Sequence, residues 1–149
     1  MNSDFSDLLR LFNDYSVEYL VVGGYAVVAY TEPRYTKDLD VWIWARPENA
    51  GRVFQALKEF GAPLTGMSPQ DFADSGFVFQ IGVAPVRIDV LMSVDGLEFT
   101  EAWPNRSWID FGGVEGWIIS REDLILNKRA SGRLQDQLDV QNLEKNPHL

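Results

Sequence analysis

The chain has 149 residues, of which 46% are apolar and 13% aromatic; this composition excludes a disordered chain and favours one domain, residues 1–149, with a substantial core. Its formal net charge of −9 opposes long-range attraction to nucleic acid, which is therefore the less expected partner. Cysteine is absent, which excludes disulfides and thiolate metal sites, and no apolar run approaches the roughly 18 residues of a membrane span. With no secretory signal in view, we expect a cytoplasmic protein.

The first half of the chain alternates helices and strands. A helix over "SDFSDLLRLFNDY", with Ser3 as its N-cap, precedes a short buried strand, "EYLVVG", that glycine ends. The next segment, "GYAVVAYTE", has helical character and ends before Pro33. After a strand over "KDLDVWIW", the segment "PENAGRVFQALKEFG" predicts a helix with Pro47 in its first turn and Gly61 as its stop.

The second half predicts paired strands and a helical tail. "FVFQIG" and "VRIDVLM" have the pattern of one hairpin, and "SWIDF" and "VEGWII" that of another around Gly112–Gly113, with a short helix or turn over "GLEFTEAWPN" between them. In the tail, Ser120 and Asp123 predict a capping box, Gly132 ends that helix, and "RLQDQLDVQNL" forms the last one. This order predicts an α/β (α+β) fold, a mixed β-sheet flanked by helices with a short C-terminal helical pair.

Aspartates interrupt two of the predicted strands. Asp38 and Asp40 leave the same face of their strand, and two close carboxylates repel each other unless a cation lies between them. Mg²⁺ prefers one or two carboxylates together with water and substrate phosphates. Asp89 lies on the polar face of "VRIDVLM". If that strand lies beside the first, three carboxylates converge, which is the ligand set of a two-metal phosphoryl-transfer site.

Gly23–Gly24 and the nearby basic residues predict a phosphate site next to these carboxylates. A strand that ends in two glycines and opens a helix lets backbone N–H groups approach a phosphate at the helix N-terminus. The helix that follows returns the chain to the sheet beside this turn. Arg34 and Lys37 precede the aspartates and are charge-assisted donors for the same phosphate.

The combination of "GG", thirteen intervening residues, "DLD" and a later "RIDVL" resembles the DNA polymerase beta-type nucleotidyltransferase superfamily. The stretch "VVGGYAVVAYTEPRYTKDLDVWI" and the tail "SREDLILNKRASGRLQDQLDV" are similar to small bacterial nucleotidyltransferase-like proteins, whose relatives include type IV abortive-infection toxins and antibiotic-modifying nucleotidyltransferases. The resemblance covers about Leu20 to Leu143. It implies transfer of a nucleoside monophosphate from a nucleoside triphosphate such as ATP to a hydroxyl, with release of pyrophosphate.

The resemblance also implies roles for individual residues. Asp38 and Asp40 would bind two Mg²⁺ ions, or Mn²⁺, and the triphosphate, whereas Asp89 would hold the catalytic metal and help to deprotonate the acceptor hydroxyl. Gly23 and Gly24 would shape the phosphate-binding turn, and Lys128 matches a basic position that can face the triphosphate. Arg133, Asp136 and Asp139 also match the tail pattern, while Gln135 stands where a basic residue is common.

The sequence alone does not identify the acceptor substrate or the biological pathway. Relatives modify protein hydroxyls, small molecules or transfer RNA ends, and many act in toxin–antitoxin or defence pairs, so a partner protein or a homodimer is compatible with the sequence. An alternative is a nucleotidyltransferase-fold module that binds nucleotide without catalysis.

The candidate site residues can also have purely structural roles. Asp38 and Asp40 can pair with Arg34 and Lys37, Asp89 can pair with Arg87 on its own strand, and Lys128 can be a surface residue. If all three carboxylates are neutralised in this way, the chain is a plain α/β domain. Trp42 and Trp44 share the carboxylate face, where they stack on a base or pack under a helix.

Overall fold

The computed structural model describes residues 1–31, 38–83 and 86–145. Its helices and strands follow the predicted order closely. The helices are α1 (Ser3–Asp14), α2 (Gly23–Tyr30), α3 (Pro47–Phe60), α4 (Phe99–Ala102), α5 (Arg121–Ser131) and α6 (Leu134–Lys145), and short 3₁₀ turns cover Pro69–Ala73 and Trp103–Asn105. The strands are β1 (Tyr19–Val22), β2 (Asp38–Ile43), β3 (Val78–Val83), β4 (Val86–Leu91), β5 (Ser107–Asp110) and β6 (Glu115–Ile118).

Local end signals explain most helix boundaries. α3 begins at Pro47 and ends at Gly61, whose φ of 91° is the left-handed conformation that glycine adopts without strain. Ser120 Oγ accepts a hydrogen bond from the backbone N–H of Asp123 at the start of α5, as predicted. The predicted N-cap of α1 is wrong. Ser3 is already helical, and Asn2 caps instead, because its Oδ1 accepts the Asp4 N–H at 2.8 Å.

The strands form a six-stranded mixed sheet within the described residues, in the order β3-β4-β2-β1-β6-β5. The two predicted hairpins are confirmed, because β3 pairs antiparallel with β4 and β5 pairs antiparallel with β6. β2 lies between β1, which is antiparallel to it, and β4, which is parallel to it. The strand that carries Asp89 therefore lies directly beside the strand that carries Asp38 and Asp40.

The sheet separates two apolar cores. Leu39, Val41 and Ile43 point from β2 into the core beneath α1 and α3, whereas Trp42 points into the other core with residues of α2, α5 and α6. Trp42 meets the Phe99 ring edge-on at a centroid distance of 5.0 Å, and Trp44 stacks on the same ring at 5.6 Å. Both tryptophans of the carboxylate face thus pack under a helix rather than presenting a free ring.

The α/β architecture with a mixed sheet and a C-terminal helical pair is confirmed. None of the helices in the described part of the chain is long and apolar enough to cross a membrane.

Candidate active site

One cavity of about 610 Å³ collects most of the predicted site residues. It lies where the end of β1, the start of α2, the first half of β2 and the helical pair α5–α6 meet. It is lined by Val22, Gly23, Gly24, Asp38, Asp40, Leu91, Ser93, Val94, Asp95, Asn127, Lys128, Ser131, Arg133, Gln135, Asp136 and Asp139. Gly23, Gly24, Asp38, Asp40 and Lys128 are thus brought together, while Arg34 and Lys37 lie outside the described residues.

The register of the parallel strands brings Asp40 and Asp89 together. Asp40 of β2 lies opposite Asp89 of β4, and Asp38 lies opposite Arg87. Directly opposite residues on one face of a sheet have side chains close enough to interact. Asp89 is buried, with 8% of its surface exposed. The three aspartates therefore lie on one face of two neighbouring strands, but Asp89 does not line the cavity. Their role at a cation site stays a prediction.

The carboxylates near Asp40 affect its pKa. Burial raises the pKa of Asp40 well above that of a free aspartate, and the negative charges of Asp89 and then Asp38 raise it further. The positive charge of Lys128 acts in the opposite direction. A site that holds several carboxylates at this cost is one where a cation would be strongly favoured.

Gly23 packs directly against the Asp40 carboxylate. A Cβ atom built on Gly23 would lie 2.2 Å from Asp40 Oδ2, and the φ of Gly23 is 65°. Glycine is therefore required here both by the backbone conformation and by the close approach of a side chain. α2 begins at this residue, and its N-cap residue, Val22, makes no side-chain capping hydrogen bond. This helix N-terminus lies at the edge of the cavity, where its dipole would favour a phosphate.

Arg87 is a site residue whose full role the sequence interpretation missed. Its Nη2 lies 2.9 Å from Asp38 Oδ2 and 3.3 Å from Asp89 Oδ2. The sequence offers the pairing of Arg87 with Asp89 as a structural alternative, but it does not indicate the bridge to Asp38. The signal for it was the parallel register, which can be inferred only once β4 is known to lie beside β2.

Lys128 is neither on the surface nor free to face a ligand alone, so its interpretation as a surface residue is wrong. Its Nζ lies 3.0 Å from Asp136 Oδ1 and 3.2 Å from Asp139 Oδ2, and the three side chains are 8%, 1% and 0% exposed, respectively. Gln135, which stands where a basic residue is common, donates to Asp139 Oδ1 at 3.0 Å. The tail residues thus form a buried ion-pair cluster that joins α5 to α6 along one wall of the cavity.

The carboxylates of the candidate site are chemically suited to a divalent cation. The candidate ligands are carboxylate oxygens, which Mg²⁺ and Mn²⁺ prefer. Asp89 Oδ1 is buried and receives no hydrogen bond from any residue that the structure describes. In the present arrangement no three acidic, histidine or cysteine side chains of the described residues form a metal cluster. Arg87 pairs with two of the candidate carboxylates, Asp38 and Asp89. The chemistry of the ligands fits a divalent cation, which would have to displace the Arg87 guanidinium from Asp38 and Asp89.

The fold and this cleft define the class of protein. A mixed sheet with a Gly–Gly turn at the start of a helix, beside paired aspartates and a third on the neighbouring strand, is the arrangement of a nucleotidyltransferase domain. The chain belongs to a nucleotidyltransferase family of unknown function (DUF6036), whose model matches residues 3–145.

A solved structure supports the same fold. The chain resembles the crystal structure of the lincosamide antibiotic adenylyltransferase LnuA in its lincomycin-bound form, with a TM-score of 0.60 and 17% sequence identity. The likeness covers 97% of this chain and 96% of that one. At this identity the likeness concerns the fold. No curated protein matches the chain.

Proposed function

We propose that the protein is a metal-dependent nucleotidyltransferase that moves a nucleoside monophosphate from a nucleoside triphosphate to a hydroxyl acceptor. The observation that carries the proposal is the pairing of Asp40 with Asp89 across adjacent parallel strands, with the Gly23 backbone packed against Asp40. In this proposal Asp38, Asp40 and Asp89 hold Mg²⁺, as two ions, or Mn²⁺. The bound cation would supply charge neutralisation of the triphosphate and acidification of the acceptor hydroxyl.

The charge of the cavity supports the need for cations. Its described lining includes five aspartates, at positions 38, 40, 95, 136 and 139, but only two basic residues, Lys128 and Arg133. Both basic residues already pair with Asp136, and Lys128 pairs with Asp139 as well. A triphosphate would therefore be repelled by the side chains alone, and its affinity should depend on divalent cations.

The chain's own groups would act by positioning and by accepting a proton. The N–H groups at the start of α2 would hold the phosphates, with Gly23 and Gly24 allowing their close approach. The acceptor oxygen attacks the α-phosphorus as the bond from that phosphorus to the bridging oxygen breaks and pyrophosphate leaves. The hydroxyl proton passes to the Asp89 carboxylate. Holding these groups in line supplies much of the rate enhancement.

The acceptor remains a choice among a small molecule, a protein hydroxyl and a transfer RNA end. The fold likeness to an antibiotic adenylyltransferase supports a small molecule, and the acidic net charge counts against RNA. A toxin–antitoxin or defence setting would add a partner protein.

A second candidate function is nucleotide binding without catalysis. The observation that favours it is Arg87, which pairs with both Asp38 and Asp89 and so opposes the binding of a catalytic cation at these carboxylates. In that case nucleotide binding would be measurable, but no acceptor would be labelled.

The test is the transfer of label from each of four α-labelled nucleoside triphosphates into a cell extract, with Mg²⁺ or Mn²⁺. The matched control is the Asp38→Asn/Asp40→Asn variant. We expect a labelled product that the control does not form, and its size identifies the acceptor class. Cation-dependent nucleotide binding without any labelled product would favour the binding module instead.

A further inference from the structure

Arg87 connects two carboxylates that the proposed function assigns to the divalent cation. Its Nη2 donates to Asp38 Oδ2 at 2.9 Å across the β2–β4 pair, and the same nitrogen lies 3.3 Å from Asp89 Oδ2. The bridge follows from the register, because Arg87 lies opposite Asp38 and two positions before Asp89 on the same face of β4. A single guanidinium thus serves as the counter-ion of both carboxylates.

The pairing of Arg87 with Asp89 is incomplete. Nε lies 3.2 Å from Asp89 Oδ1, which is within ion-pair distance, but the N–H is not aligned for a hydrogen bond. Both atoms are buried, and neither has a hydrogen-bond partner among the residues described. A buried carboxylate oxygen without a donor is costly. Asp89 would therefore gain from a ligand that coordinates Oδ1 directly.

Arg87 is also able to leave. Its side chain is 36% exposed, so the guanidinium can move into water without crossing the core. Lys128 provides a contrast, because its side chain is only 8% exposed and its two partners are buried. Lys128 is thus held between α5 and α6, whereas Arg87 lies at the solvent boundary.

We propose that Arg87 is the resident counter-ion of Asp38 and Asp89 and competes with the divalent cation for their oxygens. The inference rests on the proposed function, which assigns these carboxylates to the cation. Positive charges that share the same oxygens repel each other, so cation binding and the Arg87 bridge exclude each other. Arg87 thereby holds Asp38 and Asp89 together without a metal, at the expense of metal affinity.

The test measures binding of Mn²⁺ alone, by electron paramagnetic resonance of the free ion, to the wild-type protein and to Arg87→Met. We expect Arg87→Met to bind Mn²⁺ at least about tenfold more tightly, which corresponds to about 1.4 kcal/mol. The melting temperature of Arg87→Met should be lower than that of the wild type in EDTA and should rise more on addition of Mn²⁺. The matched control is Arg129→Met, which removes the same charge from an exposed pair with Glu144 and should leave Mn²⁺ affinity unchanged.

A second measurement covers the case in which Arg87→Met does not fold. The side-chain Nε–H resonance of Arg87 in wild-type protein, assigned by its absence in Arg87→Lys, is followed during titration with diamagnetic Mg²⁺. We expect it to move towards the position of a solvated arginine as Mg²⁺ saturates the site. A resonance that does not move, or equal or weaker Mn²⁺ binding by Arg87→Met, overturns the inference. If cation-dependent label transfer persists in that case, the proposed function stands; if Mn²⁺ binding and transfer are both absent, both fail.

Discussion

Replacing Gly23 with alanine should separate the function of the Gly–Gly turn from its effect on stability. The new Cβ would lie 2.2 Å from Asp40 Oδ2, 3.0 Å from its Cγ and 3.1 Å from its Cβ. Real Cβ contacts shorter than 3.0 Å essentially do not occur, so Oδ2 has to move by at least 0.8 Å, the difference between 3.0 and 2.2 Å. Rotation of the carboxylate alone does not relieve the contact, because Cγ and Cβ of Asp40 are crowded as well.

The expected loss is therefore mainly one of activity. A displacement of about 1 Å in a positioned group costs roughly 100-fold in rate, so we expect Gly23→Ala to reduce label transfer by about two orders of magnitude. The strain of an alanine at a φ of 65° destabilises the fold by about 1–2 kcal/mol.

Gly66→Ala is the matched control. Gly66 also has a positive φ, of 79°, but a Cβ there would meet nothing within 4 Å. Both variants should lose the stability that the positive φ costs, with a larger loss for Gly23→Ala because of its clash with Asp40, and only Gly23→Ala should lose activity. Wild-type transfer by Gly23→Ala, or an equal loss of activity in both variants, would refute the reasoning.

Three further predictions concern charges around the cavity. Lys128→Met should destabilise the fold by about 3–5 kcal/mol in urea denaturation, because it removes the buried cation that pairs with both Asp136 and Asp139. A loss below about 1 kcal/mol would contradict a buried cluster. Asp136 is buried, which by itself raises its pKa, but hydrogen bonds from Arg133, Ser131 and Lys128 outweigh burial and lower the pKa to about 2. The ionised Asp136 carboxylate should stabilise the fold by about 2 kcal/mol above pH 3.8, and this stabilisation should be lost as the pH falls through about 2. The stability of Asp136→Asn should therefore approach that of the wild type in acid. A difference in stability that does not change with pH would contradict the lowered pKa of Asp136. Asp40→Asn should abolish transfer yet raise the melting temperature at neutral pH, because the raised pKa of Asp40 shows that its ionised form is unfavourable in the folded protein. Global unfolding of this variant would instead show that Asp40 is structural.

Local patterns were enough to predict most of the fold. Pro47, Gly61, Ser120 and Gly132 mark helix ends through backbone conformation and capping, which depend on a few neighbouring residues. Alternation along β2 correctly separated the carboxylate face from the core face, because a strand fixes side-chain direction with a period of two. The N-cap of α1 was misassigned because Asn2 and Ser3 are both good caps and lie next to each other.

The contacts within the site were harder to predict. The bridge from Arg87 to Asp38 joins residues that are 49 positions apart, and it depends on which strands are neighbours and in which register. The burial of Lys128 depends on α6 folding back onto α5, so that Asp136 and Asp139 surround a side chain that its own helix would leave exposed. Sequence patterns identified the chemical groups, but the pairing among them is a tertiary property.

In the proposed function, Asp38, Asp40 and Asp89 form a cation site that holds a nucleoside triphosphate against the Gly23–Gly24 turn. The most direct measurement is a crystal structure with Mn²⁺ and a non-hydrolysable nucleoside triphosphate analogue, with anomalous scattering recorded to locate manganese. We predict anomalous density at the three carboxylates and phosphates at the start of α2. Nucleotide bound elsewhere, or an intact Arg87 bridge with no anomalous density at saturating Mn²⁺, would contradict the account.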